Sequence, residues 1–99
     1  MTVTGSGGVV ITRWGKSKRF HKDYDKLTIE MRDLVDSKLQ DLIKPIRTAG
    51  LAFEKLKGYA SPDIYTIHVT GNYKISMEIT GGCAFLRRVS DHNEIDRTP

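Results

Sequence analysis

The sequence predicts an α+β domain: an N-terminal strand, a helical hairpin and a three-stranded antiparallel meander, joined in one four-stranded sheet. Three observations predict it. Apolar and polar residues alternate without a break through Tyr73-Lys74-Ile75-Ser76-Met77-Glu78-Ile79, the period of a half-buried strand. Just upstream, Tyr65, Ile67 and Val69 alternate with Thr66 and His68 in the same way. Between Phe20 and Ile46 the apolar residues recur instead at helical spacing.

Met1 to Gly8 is small, polar and glycine-rich, and is expected to be flexible. Residues 9–99 then form one domain. Val9 to Trp14 is β-branched and aromatic, which predicts the first strand. Ser17 is a helix N-cap candidate. Phe20, Tyr24 and Leu27 follow at i, i+4 and i+7, one side of a short helix over Lys18 to Leu27. Thr28 caps a second helix, whose stripe is Met31, Leu34, Val35, Leu39, Leu42, Ile43 and Ile46. Pro45 disfavours helical geometry at Lys44 and ends that helix about there. Ala49 to Pro62 is a connector, in which Lys55 and Lys57 read as a solvated turn. Thr70-Gly71-Asn72 joins the first two strands of the meander, with Gly and Asn where a positive backbone angle is needed. Gly81-Gly82 turns the chain into a last strand, Ala84 to Val89. The tail from Ser90 to Pro99 is strongly polar, with no room for another large element.

At 99 residues the chain holds a single small core. A net charge of +4 permits an anionic partner without requiring one. The one cysteine, Cys83, has no internal disulfide partner, so a reducing cytosol is the default compartment. The longest apolar run near the start, Val9-Val10-Ile11, is too short for a signal peptide or a membrane span.

Register turns the alternation into geometry. With a three-residue loop, Val69 faces Tyr73, Ile67 faces Ile75 and Tyr65 faces Met77 on an apolar side. On the other side His68 faces Lys74 and Thr66 faces Ser76, with facing Cβ atoms about 4.5–5.5 Å apart. A solvated surface pair is the plainer reading of His68 and Lys74. In the last strand a two-residue turn sets Arg87 beside Ser76, but puts Arg88 on the core side and Val89 opposite Lys74. A bulge would correct part of that and leaves open which arginine faces the polar side. His68, His92, Asp91, Asn93 and Asp96 could offer metal ligands, but no His-x-x-x-His or Cys pair is present and the tail lacks a calcium loop's glycine. No metal or cofactor is expected.

Four pieces of the chain carry a resemblance. They are Phe20-His21-Lys22-Asp23-Tyr24-Asp25-Lys26-Leu27; Lys55-Leu56-Lys57-Gly58-Tyr59; Ile64 to Val69 with Asn72-Tyr73-Lys74-Ile75; and Leu86-Arg87-Arg88-Val89-Ser90-Asp91-His92-Asn93-Glu94-Ile95. In this order and spacing the chain resembles the RelE/ParE superfamily of toxins from bacterial toxin–antitoxin modules. The last piece is similar to the Arg-x-Gly-x-His-x-Glu-Ile close of its ribonuclease members.

The resemblance implies a RelE-like fold and metal-independent cleavage of messenger RNA, often at the ribosome, by attack of a ribose 2′-hydroxyl on the adjacent phosphate. Residue by residue, it implies that His68 is the base, Lys74 the charge stabiliser and His92 the acid. Lys55, Lys57, Arg87 and Arg88 would hold RNA backbone. The implied partners are a cognate antitoxin, messenger RNA and the ribosome, with no membrane. Thr66 stands where the best-studied branch has a lysine, and that branch's final-helix tyrosine has no counterpart, which points to a histidine-containing branch. The residues agree on their own terms: histidine takes and gives protons near neutrality, and Lys74 beside His68 favours the neutral imidazole. A loop histidine bonded to Asp91 or Glu94 is the plainer reading of His92. Two other functions stand beside this one, a ParE-like toxin acting on gyrase and a catalytically silent binding domain of the same fold.

Overall fold

The computed structural model describes residues 9–47 and 49–99; the expected flexible stretch, residues 1–8, lies outside them. Among the described residues it is an α+β fold with five strands, three α-helices and one 3-10 turn at Ala49–Leu51. The strands are β1 (Arg13–Lys16), β2 (Glu54–Lys55), β3 (Tyr65–His68), β4 (Tyr73–Thr80) and β5 (Cys83–Asp91), and the helices are α1 (Lys18–Asp25), α2 (Ile29–Leu42) and α3 (His92–Arg97). One sheet runs in the order β1-β5-β4-β3-β2. The edge strand β1 pairs parallel to β5, and every other pair is antiparallel.

Three expectations are corrected here. The sheet has five strands, not four, because Glu54 and Lys55 form a two-residue edge against Tyr65 and Thr66. A pair of exposed charged residues has no alternation to read. The first strand begins at Arg13, not Val9. Pairing starts only where Thr12 and Arg13 donate their amides to the Gly82 carbonyl, while Ile11 is already buried in the core. The loop Thr70-Gly71-Asn72 has no positive φ. Its turn is held instead by the Thr70 hydroxyl, which accepts from the amides of Asn72 and Tyr73.

The helices form as their caps direct. The Ser17 hydroxyl accepts from the Phe20 amide at 3.0 Å and donates to the Arg87 carbonyl at 2.8 Å, so one cap also ties α1 to β5. Thr28 caps α2 by accepting from Met31, and α2 ends at Leu42, two residues before Lys44. Phe20, Val35, Leu39 and Leu42 of the hairpin pack with Ile67, Ile75, Met77 and Leu86 of the sheet. Two stripe residues fall outside that core: Leu34 is 42% exposed and Ile46, beyond the end of α2, is 80% exposed.

The meander keeps the expected register, Ile67 opposite Ile75 and His68 opposite Lys74. Gly81 (φ +55°) and Gly82 (φ +78°) make the tight turn into β5. A bulge then falls at Arg87: Leu86 pairs with Met77, and Arg88 pairs with Ser76. That one unpaired residue restores Val89 to the apolar side opposite Ile75. Asp91 begins α3 by accepting from the Glu94 amide, and α3 packs back onto β4 and β5. No helix among the described residues is long and apolar enough to cross a membrane.

Candidate active site

The polar side of the sheet presents two successive rows, His68–Lys74–Ser90 and Thr66–Ser76–Arg88. His68 ends β3. His92 opens α3, and its backbone amide donates to the Asn72 carbonyl at 2.8 Å, so the tail returns to the loop beside His68. The two imidazoles meet edge to face, with ring centroids 4.7 Å apart and planes at 67°. The His92 Nε2 is buried and bonds to nothing among the described residues, while the Asp91 carboxylate is taken by the Glu94 amide. The His68 pKa is pushed below its ordinary value, first by burial and then by the positive charge His92 and Lys74 can carry; Glu54 and Asp96 oppose the shift. His68 is therefore a neutral imidazole near neutrality, able to accept a proton.

Lys74 is only 7% exposed. Its Nζ lies 2.9 Å from Asp96 Oδ1. Lys74 is paired with His68 in the register and its charge acts on that imidazole, but a carboxylate from α3 already holds the ammonium.

No protein-family model and no curated protein sequence matches this chain. Solved structures do. A chain of the RelB–RelE antitoxin–toxin complex from Methanococcus jannaschii superposes with a TM-score of 0.63 at 26% identity, covering 86% of this chain and 99% of that one. The chain has the RelE-like toxin fold. A chain of the intact RelBE toxin–antitoxin complex from E. coli is similar at a TM-score of 0.62 and 22% identity, over 81% of this chain and 95% of that one. YafQ from E. coli strain BL21(DE3) is similar at a TM-score of 0.62 and 14% identity, over 83% and 94%.

On this RelE-like sheet the four residues expected to hold RNA backbone separate. Lys57 is exposed on the turn before Gly58. Lys55, also exposed, lies 3.4 Å from Asp63. Arg87, at the bulge, is about one-third exposed and paired with Glu78. Arg88 is the correction. It does face the polar side, opposite Ser76, but it is 8% exposed and fully engaged. Its Nε and Nη2 grip the two oxygens of Asp23 at 3.0 and 3.1 Å, and its Nη1 reaches Glu94 at 2.9 Å. The guanidinium ties α1, β5 and α3 together, which leaves it no free donor plane for a phosphate. Its pKa is raised, foremost by the hydrogen bond to Asp23. The hydrogen bond that Arg88 donates to Glu94 pulls the Glu94 carboxyl down to about 2, with Thr98 and Arg97 adding to it.

Sequence reasoning missed Asp23, Asp96 and Tyr59. Asp23 stands three residues after Phe20, which puts it on the inward side of α1; that spacing was the available signal. Asp96 follows His92 by four residues and so shares its face of α3. Nothing local marks Tyr59, whose hydroxyl donates to the Asp96 and Arg97 carbonyls at 2.9 and 3.1 Å. Among the described residues, no three His, Cys, Asp or Glu side chains are placed to hold a metal ion.

Proposed function

We propose that this chain is the toxin of a toxin–antitoxin pair, and that it cleaves messenger RNA in the cytoplasm, at the ribosome, without a metal. The observation that carries this reading is the contact of His68 with His92, 4.7 Å between ring centroids, with Lys74 paired to His68 across the strands. Cleavage by an internal ribose needs a base, an acid and positive charge near the phosphoryl oxygens. His68, held neutral, takes the proton of the 2′-hydroxyl. The 2′-oxygen forms its bond to phosphorus as the bond to the 5′-oxygen breaks, and His92 gives that leaving oxygen a proton. The products are a 2′,3′-cyclic phosphate and a free 5′-hydroxyl. Lys74 offsets the charge that builds on the phosphoryl oxygens.

Several features support the reading. The solved structures with this fold include antitoxin–toxin complexes, and a cognate antitoxin is the partner proposed here. The net charge of +4 suits RNA and an acidic antitoxin alike. Purified protein incubated with translating ribosomes tests it. Messenger cut to cyclic-phosphate ends, with cutting lost in His92→Ala, supports the proposal. Intact messenger together with trapped gyrase–DNA adducts transfers the chain to the ParE-like alternative.

A further inference from the structure

Asp23 lies on α1, yet it fixes the side chain that holds the last helix. Its two oxygens accept from Arg88 Nε at 3.0 Å and Nη2 at 3.1 Å, and Oδ2 also takes the Val89 amide at 3.2 Å. A two-point grip on a planar guanidinium fixes its plane, and with it the direction of the third nitrogen. That nitrogen, Nη1, points at α3. It donates to Glu94 Oε2 at 2.9 Å and lies 3.3 Å from Thr98 Oγ1. The Arg88 and Asp23 side chains are each 10% exposed, so water has little access to the grip.

The six residues of α3 are too few for a helix to hold itself together in water. Its place is kept by ties to the rest of the fold: buried Ile95, the His92 amide on the Asn72 carbonyl, and the Tyr59 hydroxyl on the Asp96 and Arg97 carbonyls. Two cations of the sheet add to these, Lys74 on Asp96 and Arg88 on Glu94. Asp96 is 51% exposed, so the Lys74 tie is open to water on one side. The Arg88 tie is anchored from inside the protein by Asp23. The Asn72 carbonyl fixes where the helix starts. Where Glu94 and Thr98 are held sets its direction, and the His92 ring is carried on its first residue.

We propose that Asp23 is a positioning residue for His92: by fixing Arg88 it sets where α3 lies, and so keeps the His92 ring against the His68 ring. Its consequence for cleavage rests on the ribonuclease reading, whereas the ring contact is readable without RNA. Asp23 acts through Arg88 and Glu94 on the placement of one imidazole and has no contact of its own with substrate. Its loss therefore slows the step that His92 serves and leaves RNA binding as it was.

The test uses the full chain. Proton NMR without RNA reads the cross-relaxation between the ring protons of His68 and His92. Single-turnover cleavage, and affinity for a 2′-O-methyl oligoribonucleotide that binds without being cut, read the consequence. Asp23→Asn keeps the shape but loses one acceptor of the grip. It weakens or abolishes the cross peak and slows cleavage by about 10²-fold, the scale of a reacting group displaced by about 1 Å, while oligonucleotide affinity holds. Glu94→Gln weakens the tie at its other end with the same effects, although removing an anion beside an RNA site would by charge alone tighten binding. Where Asp23→Asn fails to fold, Asp23→Leu with Arg88→Met removes both buried charges and strands neither; it keeps its melting temperature and loses the cross peak. Thr28→Ala, which strips the N-cap from α2, destabilises the protein and keeps the cross peak. A cross peak intact in Asp23→Asn, or lost in Thr28→Ala as well, overturns the positioning role. Oligonucleotide affinity that falls in step with the cleavage rate overturns it too, because Arg88 then acts on the RNA. A cross peak that depends on Asp23 in a protein that cuts no RNA upholds the positioning and overturns the ribonuclease reading instead.

Discussion

The ring of His92 stands edge-on to the ring of His68, 4.7 Å between centroids, although one ends a central strand and the other opens the last helix. The proposed cleavage by an internal hydroxyl requires two proton-moving groups side by side, the role proposed here for this pair.

In the proposed reaction, replacing either histidine removes a proton-transfer partner. His68→Ala and His92→Ala are each expected to slow RNA cleavage by roughly 10²–10⁴-fold, and the double variant to fall little further, because the two act as a unit. Single-turnover cleavage of an oligoribonucleotide, with far-UV circular dichroism as a check on folding, measures this.

The depressed pKa of His68 has a sign that can be followed in both activity and stability. A base must be neutral, so the part of the pH profile that the base limits is expected to rise through the lowered His68 pKa and to be complete below the ordinary histidine value of about 6.5. For stability, the unfolded chain binds the His68 proton at a higher pH than the folded one. The folded state therefore keeps its full stability above about 6.5 and loses it as pH falls through the folded pKa. Melting temperatures from pH 8 to pH 5 check this, and His68→Gln is expected to flatten the profile. Glu94, at about 2, does not titrate in that window.

The Arg88–Asp23 pair is a structural bond, and removing one partner strands the other. Asp23→Ala leaves a guanidinium that is 8% exposed facing only Glu94 and Thr98. The expected loss is about 3–5 kcal/mol of unfolding free energy, read from the midpoint of a urea transition. A loss below about 1 kcal/mol, the scale of a surface pair, would contradict the buried role.

Ser17 carries two hydrogen bonds, one capping α1 and one to the Arg87 carbonyl at the bulge. Ser17→Ala is expected to cost about 1–2 kcal/mol, and Ser17→Asp, which restores only the cap, to recover part of it. Urea unfolding of the two variants separates the cap from the tie to β5.

Much of this protein was legible before any fold was known. The alternation in β3 and β4 is local, so it revealed both strands, their apolar side and the pairing of His68 with Lys74. Ser17 and Thr28 announced their helices because a cap needs only the next three amides. What only the tertiary structure decided depends on contacts between distant parts of the chain. The bulge at Arg87 arises because β5 must present Leu86 and Val89 to the same core, and that demand chose Arg88 for the polar side. Charged side chains read as solvated unless their partners are known, and the partners of Arg88 and Lys74 lie on α1 and α3. The return of the tail to Asn72, which brings His92 to His68, is likewise a long-range closure that local pattern does not encode.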